Sequence, residues 1–153
     1  MSSWPGPSMA SEASAWQSLL TPALALIVWS LVVWAWMYAT RIPAIRKAGI
    51  DPSAVREPRS LDALPLKVRQ VAYNYNHLME QPTIFYALVF YAYLAGQQNP
   101  ANTALAWAYV ATRVAHSLIQ ATVNVVLVRF AAHVLGTAAL IALAARCVLA
   151  LFG

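Results

Sequence analysis

The chain has 153 residues, of which 61% are hydrophobic and only 10% charged, whereas soluble domains carry roughly 25% charged residues; this excludes an ordinary water-soluble domain and points to a membrane protein. Its net charge of +5 does not read as a nucleic-acid surface. Seven of the ten basic residues fall between Arg41 and Arg69, which is the signature of a cytoplasmic loop under the positive-inside rule.

A bilayer crossing takes roughly 20 apolar residues, and four stretches qualify, at about 17–39, 71–95, 102–126 and 130–152. The expected fold is an all-α integral membrane four-helix bundle, one domain over residues 17–153, with a flexible tail at 1–16. That tail, MSSWPGPSMASEASAW, has no Lys or Arg ahead of the first apolar run, so no cleavable signal is expected. Span one is apolar all round, with Trp16, Trp34, Trp36 and Tyr38 toward its ends as an interfacial belt and Arg41 at its inner end. The basic loop 40–70, with four prolines between Ile42 and Pro65, reads as irregular and cytoplasmic, which places both termini on the opposite side.

Span two opens with YNYNHLMEQPTIF, so Asn74, Asn76, His77, Glu80 and Gln81 precede an uninterrupted apolar run. A carboxylate in hydrocarbon is costly, and Glu80 needs a partner or a use. Span three carries Arg113, His116, Gln120 and Asn124 at intervals of three, four and four, a single stripe on one helix face. Because the two spans run in opposite directions, Glu80, about 15 Å above the cytoplasmic end of span two, lies level with Arg113. The two are expected to pair, each making the other's burial tolerable.

The remaining strongly polar groups fall in the cytoplasmic half: Asn76 and His77 on span two, His116, Gln120 and Asn124 on span three, and Arg129 at the turn into span four, with Arg41 able to close the mouth. They read as a polar cavity open to the cytoplasm. Polar residues also join membrane helices without any chemistry, which is the plainer reading for Asn74, Asn124 and His133. Arg146 stands near the outer end of its helix, where it can snorkel. Cys147, the single cysteine, reads as a buried inert thiol. Pro82 either shapes a site by freeing the Leu78 carbonyl or is a tolerated kink. No metal site is read from the sequence.

NHLMEQPTIFYAL followed by AWAYVATRVAHSLIQATVNVVLVRF resembles the MAPEG superfamily, the membrane-associated proteins of eicosanoid and glutathione metabolism, in a bacterial-type form. The shared parts are Glu80 with Phe85, the run Arg113 to His116, and Arg129 sixteen residues after Arg113. The resemblance implies a homotrimer of four-helix subunits with a site between neighbours. It implies glutathione as cofactor, with Glu80 holding the amino end of the tripeptide, His116 positioning it and Arg129 facing the thiol. Tyr73, Asn76 and His77 depart from the arginines and the asparagine usual in glutathione users, and Gln120 and Phe130 replace a tyrosine and a serine.

The leading expectation is therefore a membrane-bound glutathione transferase or peroxidase-like enzyme for small hydrophobic electrophiles or lipid peroxides. Arg129 would be catalytic, and Glu80, Arg113, His116, His77, Asn76, Gln120 and Arg41 would bind the tripeptide. The alternative is a non-catalytic lipid-binding or scaffold protein. A proton path through Glu80 and the histidines is disfavoured, because no polar line continues to the outer side.

Overall fold

A computed structural model describes residues 18–51, 53, 55 and 61–152; the tail 1–16, with Trp16, and the loop residues Arg56 and Arg59 lie outside the described residues. The helices are α1 (Leu20–Lys47), α2 (Leu66–Leu78), α3 (Pro82–Leu94), α4 (Pro100–Ala121) and α5 (Val126–Leu149). They make an all-α bundle of four spans, the second built from α2 and α3. The most extensive packing is between α4 and α5, while α1 lies against α2, α3 and α4.

The break in span two follows from Pro82, which has no N–H to give the Leu78 carbonyl. Around it the chain closes with bonds three residues back, from Met79 N to Asn76 O at 2.9 Å, from Glu80 N to His77 O at 3.4 Å and from Thr83 N to Glu80 O at 3.3 Å. Glu80 therefore sits in a turn between two helices, not within a continuous one. At the other end of span one, α1 runs past Arg41 to Lys47, where an irregular loop was expected. Pro43 is accommodated inside it, Arg46 and Lys47 favour the negative end of the helix dipole, and Gly49 at φ 65° closes it in the left-handed conformation.

Helix α4 starts on Asn99, whose side chain accepts from Asn102 N at 3.0 Å, with Pro100 next in the chain. It stops at Ala121. Asn124 is left-handed at φ 51°, with its N–H on Ile119 O at 2.7 Å, so the stripe expected to run on to Asn124 ends at Gln120. Asparagine tolerates this conformation better than most residues.

Leu19, Leu26, Phe85, Val89, Tyr109 and Leu143 form the core, with the Phe85 and Tyr109 rings stacked at 4.5 Å between centroids. Gly136 lets α5 approach α4 closely, since a Cβ there would stand 2.6 Å from Thr112 Oγ1. The outer surface is apolar: Leu31 is 60% exposed, Leu94 83% and Leu127 77%, the reverse of what water selects. Helices α1 and α5 are each long and apolar enough to cross a bilayer.

Arg146 does not snorkel freely. Its Nε donates to Asn102 Oδ1 at 2.6 Å and its Nη2 to Asn99 Oδ1 at 3.3 Å, because the end of α5 lies beside the start of α4. Cys147 is buried with a free thiol.

Candidate functional site

Tyr73, Asn76, His77 and Glu80 recur every three or four residues, so α2 and the turn after it bring them to one side. His116 and Gln120 come from α4 and Arg129 from the first turn of α5. These residues line one open cleft of about 350 Å³. Six of the eight residues singled out from the sequence thus share a wall: Asn76, His77, Glu80, His116, Gln120 and Arg129. Arg41 does not. It borders a smaller hollow of about 80 Å³ together with Asp62 and Arg69, and Tyr73 and Asn76 are common to both spaces.

Arg113 lies behind the cleft, only 1% exposed. The expected ion pair with Glu80 is absent. Nη1 of Arg113 lies 3.4 Å from His77 Nε2 and 3.2 Å from His133 Nδ1, and its guanidinium carbon is 5.1 Å from the centre of the Tyr109 ring. Glu80 meets Nδ1 of His77 at 3.1 Å instead, with its side chain 69% exposed. The turn made by Pro82 swings the carboxylate outward while Arg113 stays under α2, and His77 fills the space between them.

All three histidines of the chain gather here, from α2, α4 and α5. The His77 ring is 4.7 Å from that of His116 and 5.5 Å from that of His133. With the guanidinium among them, the imidazoles do not form a chelating set; among the described residues no group of three or more His, Cys, Asp or Glu side chains is placed to hold a metal ion.

Arg129 is fixed by the turn before it. Its Nη1 donates to Asn124 Oδ1 at 2.7 Å, so the left-handed asparagine reaches back to the guanidinium and leaves the other donors uncommitted to that bond. Asn74 is wholly buried and its amide donates to Ser117 at 2.6 Å, joining α2 to α4.

Two residues of this region were not singled out for a site from the sequence. Tyr73 lines the cleft in the place where the resemblance pointed to a lost arginine. His133, read there as interhelical glue, touches Arg113. A signal for His133 was present, since it follows Arg129 by four residues and so shares its face of the helix.

The sequence profile of the MAPEG family matches residues 19–149, which takes in every described helix. The chain belongs to the MAPEG family. No curated protein and no solved structure matches it. As a MAPEG protein it is a membrane protein, with a glutathione-related or eicosanoid-related role at the level of the family. The cleft of this MAPEG protein holds one carboxylate, two imidazoles, two amides, a phenol and a guanidinium. Such a set can bind a zwitterion, accept from an ammonium and stabilise a developing anion.

Proposed function

We propose that this MAPEG protein is a membrane-bound glutathione transferase or peroxidase-like enzyme acting on small hydrophobic electrophiles or lipid peroxides. The observation that carries this reading is the cleft itself, where an exposed carboxylate in the turn between α2 and α3 and a tethered guanidinium on α5 face one space. Glutathione has an ammonium, two carboxylates and a thiol, and the residues present fit those groups. When bound, it supplies the nucleophilic sulfur.

In this reading Glu80 accepts from the ammonium, and its contact with His77 fixes the carboxylate in place. Asn76, Gln120 and His116 donate to the carboxylates, with Arg41 beyond Tyr73 as a further cation. Arg129 donates to the sulfur. A guanidinium stays charged throughout the physiological range and favours the thiolate of a group whose free pKa is about 8.5. Asn124 holds Arg129 toward that position. The apolar outer surface brings a lipid-dissolved electrophile to the same helices.

We infer a homotrimer. A side chain as exposed as that of Glu80, on a span that crosses the bilayer, must face protein or water and not lipid, and a neighbouring subunit over the cleft satisfies this. We also assign one four-span domain over residues 17–153 after the tail 1–16, in a bacterial inner membrane, with the 40–70 segment cytoplasmic and both termini outside. External labelling of a Ser53→Cys variant in intact cells would reverse that orientation.

The test is calorimetric titration of detergent-purified protein with glutathione, followed by turnover of a chloronitroarene. Arg129→Ala should bind glutathione yet lose most turnover at unchanged protein yield, and Arg129→Lys should recover part, since an ammonium keeps the charge without the planar fork. Absence of glutathione binding in the wild-type protein would favour the second reading, a non-catalytic lipid-binding or scaffold protein, which Tyr73, Asn76 and His77 at the cleft wall support.

A further inference from the structure

A second groove opens at the end of the bundle that carries Arg46 and Lys47 at the close of α1. It has a volume of about 460 Å³, lies between the last turns of α1, the first turn of α2 and the end of α4, and shares no lining residue with the cleft. Its lining is graded along the bundle axis. On α1, Trp36 precedes Thr40; on α2, Val71 follows Lys67; at the end of α4, Ala121 is followed by Thr122 and Val123. Since α1 runs toward this end and α2 runs away from it, the apolar member is the deeper one on both of these helices. Such grading is what the boundary between acyl chains and headgroups selects.

The rim has a defined hydrogen-bonding character. Lys67 has no hydrogen-bond or ion-pair partner among the described residues, and Asp62, five residues before it in the chain, is taken by Arg69 at 3.3 Å. Thr40 already donates its hydroxyl hydrogen to the carbonyls of Trp36 and Met37, at 3.0 and 3.1 Å. Thr122 donates its own to Leu118 O at 2.6 Å. Both hydroxyl oxygens keep lone pairs free to accept, and as both threonines line the groove, the rim offers one cationic donor beside two acceptors.

We propose that this groove binds an anionic glycerophospholipid whose headgroup carries hydroxyls, of the phosphatidylglycerol type. The phosphate meets the ammonium of Lys67, the headgroup hydroxyls donate to Thr40 and Thr122, and an acyl chain runs along Trp36 and Val71. A choline headgroup has no donor for the threonines, and its own cation faces Lys67. A soluble phosphate leaves the apolar wall uncovered. The site stands on the groove alone and does not depend on what the cleft binds.

Native mass spectrometry of the purified full-length chain, with phosphatidylglycerol and phosphatidylcholine of matched acyl chains, tests it. Phosphatidylglycerol should be retained in preference by about five-fold, the factor expected of one interfacial lysine. Lys67→Ala should remove the preference and Lys67→Arg should keep it. Thr40→Val should weaken retention of phosphatidylglycerol without changing that of phosphatidylcholine. Equal retention of the two lipids by the wild-type chain would overturn the proposal, as would a preference that survives Lys67→Ala. Displacement of the lipid by glycerol phosphate at equal concentration would make the occupant a soluble phosphate, and cross-linking of Val123→Cys, on the exposed edge of the groove, to a second copy would make it a protein segment; either result also overturns the lipid site.

Discussion

Nδ1 of His77 lies 3.1 Å from Oε2 of Glu80, and that contact, taken with the opposite side of the ring, settles where the imidazole proton sits. Nε2 faces Arg113 Nη1 at 3.4 Å, and a guanidinium has only hydrogens to offer. Nε2 must therefore accept, leaving the proton on Nδ1, directed at the carboxylate. The same reasoning makes Nδ1 of His133, 3.2 Å from that nitrogen, an acceptor. A line of donors and acceptors runs from Glu80 through His77 and Arg113 to His133, across three helices.

Replacing His77 by Phe should destabilise the bundle by about 1–3 kcal/mol, the cost of leaving a buried donor without its acceptor. His77→Gln should recover part of this, because an amide both donates and accepts. Thermal unfolding followed with a thiol-reactive dye is a suitable measurement, since Cys147 is buried and free in the folded chain.

Glu80 and Arg113 communicate through His77 and not by touching. Arg113→Ala should cost about 2–5 kcal/mol as a large-to-small change at a buried position. A double-mutant cycle of Glu80→Gln with Arg113→Met should show coupling in the wild-type background and none, within about 0.5 kcal/mol, once His77 is alanine. Coupling that persists without His77 would mean a direct ion pair.

Gly136→Ala places a methyl group 2.6 Å from Thr112 Oγ1, and overpacking of this kind costs about 1–3 kcal/mol. Thr112→Ala in the same chain should restore the melting temperature. If Gly136→Ala alone melts like the wild-type protein, α4 and α5 are free to separate and their close approach is not needed.

Asn124 has two separable duties, the left-handed turn at φ 51° and the bond to Arg129. Asn124→Gly keeps the turn and removes the acceptor, so stability and glutathione binding should hold while turnover falls. Asn124→Ala should be about 1–2 kcal/mol less stable than Asn124→Gly, since alanine keeps the Cβ that this conformation disfavours and lacks the local hydrogen bonding of the asparagine side chain. Equal kinetics for Asn124→Gly and wild type would show that Arg129 is positioned by something else.

Much of this was legible in the chain. Hydropathy and the scarcity of charge report a bilayer-facing surface because each exposed position must be individually compatible with lipid, and that requirement is local. The gathering of Asn76, His77, Glu80, His116, Gln120 and Arg129 around one cleft could be expected for the same reason, since spacing puts polar groups on one face and loop charge sets the direction of each helix. Family membership lies in the same residues.

The partners were another matter. Which atom meets which depends on how far each helix is rotated and where it breaks, and neither is contained in a periodicity. One missing N–H at Pro82 ended α2 at Leu78 and turned Glu80 from Arg113 toward His77. The end of α4 at Ala121 took Asn124 off the stripe and gave it to Arg129. His133 and Arg146 found Arg113 and Asn102 because α5 lies along α4. Such contacts join residues 20 and 44 positions apart, and only packing of the whole bundle brings them within hydrogen-bonding distance.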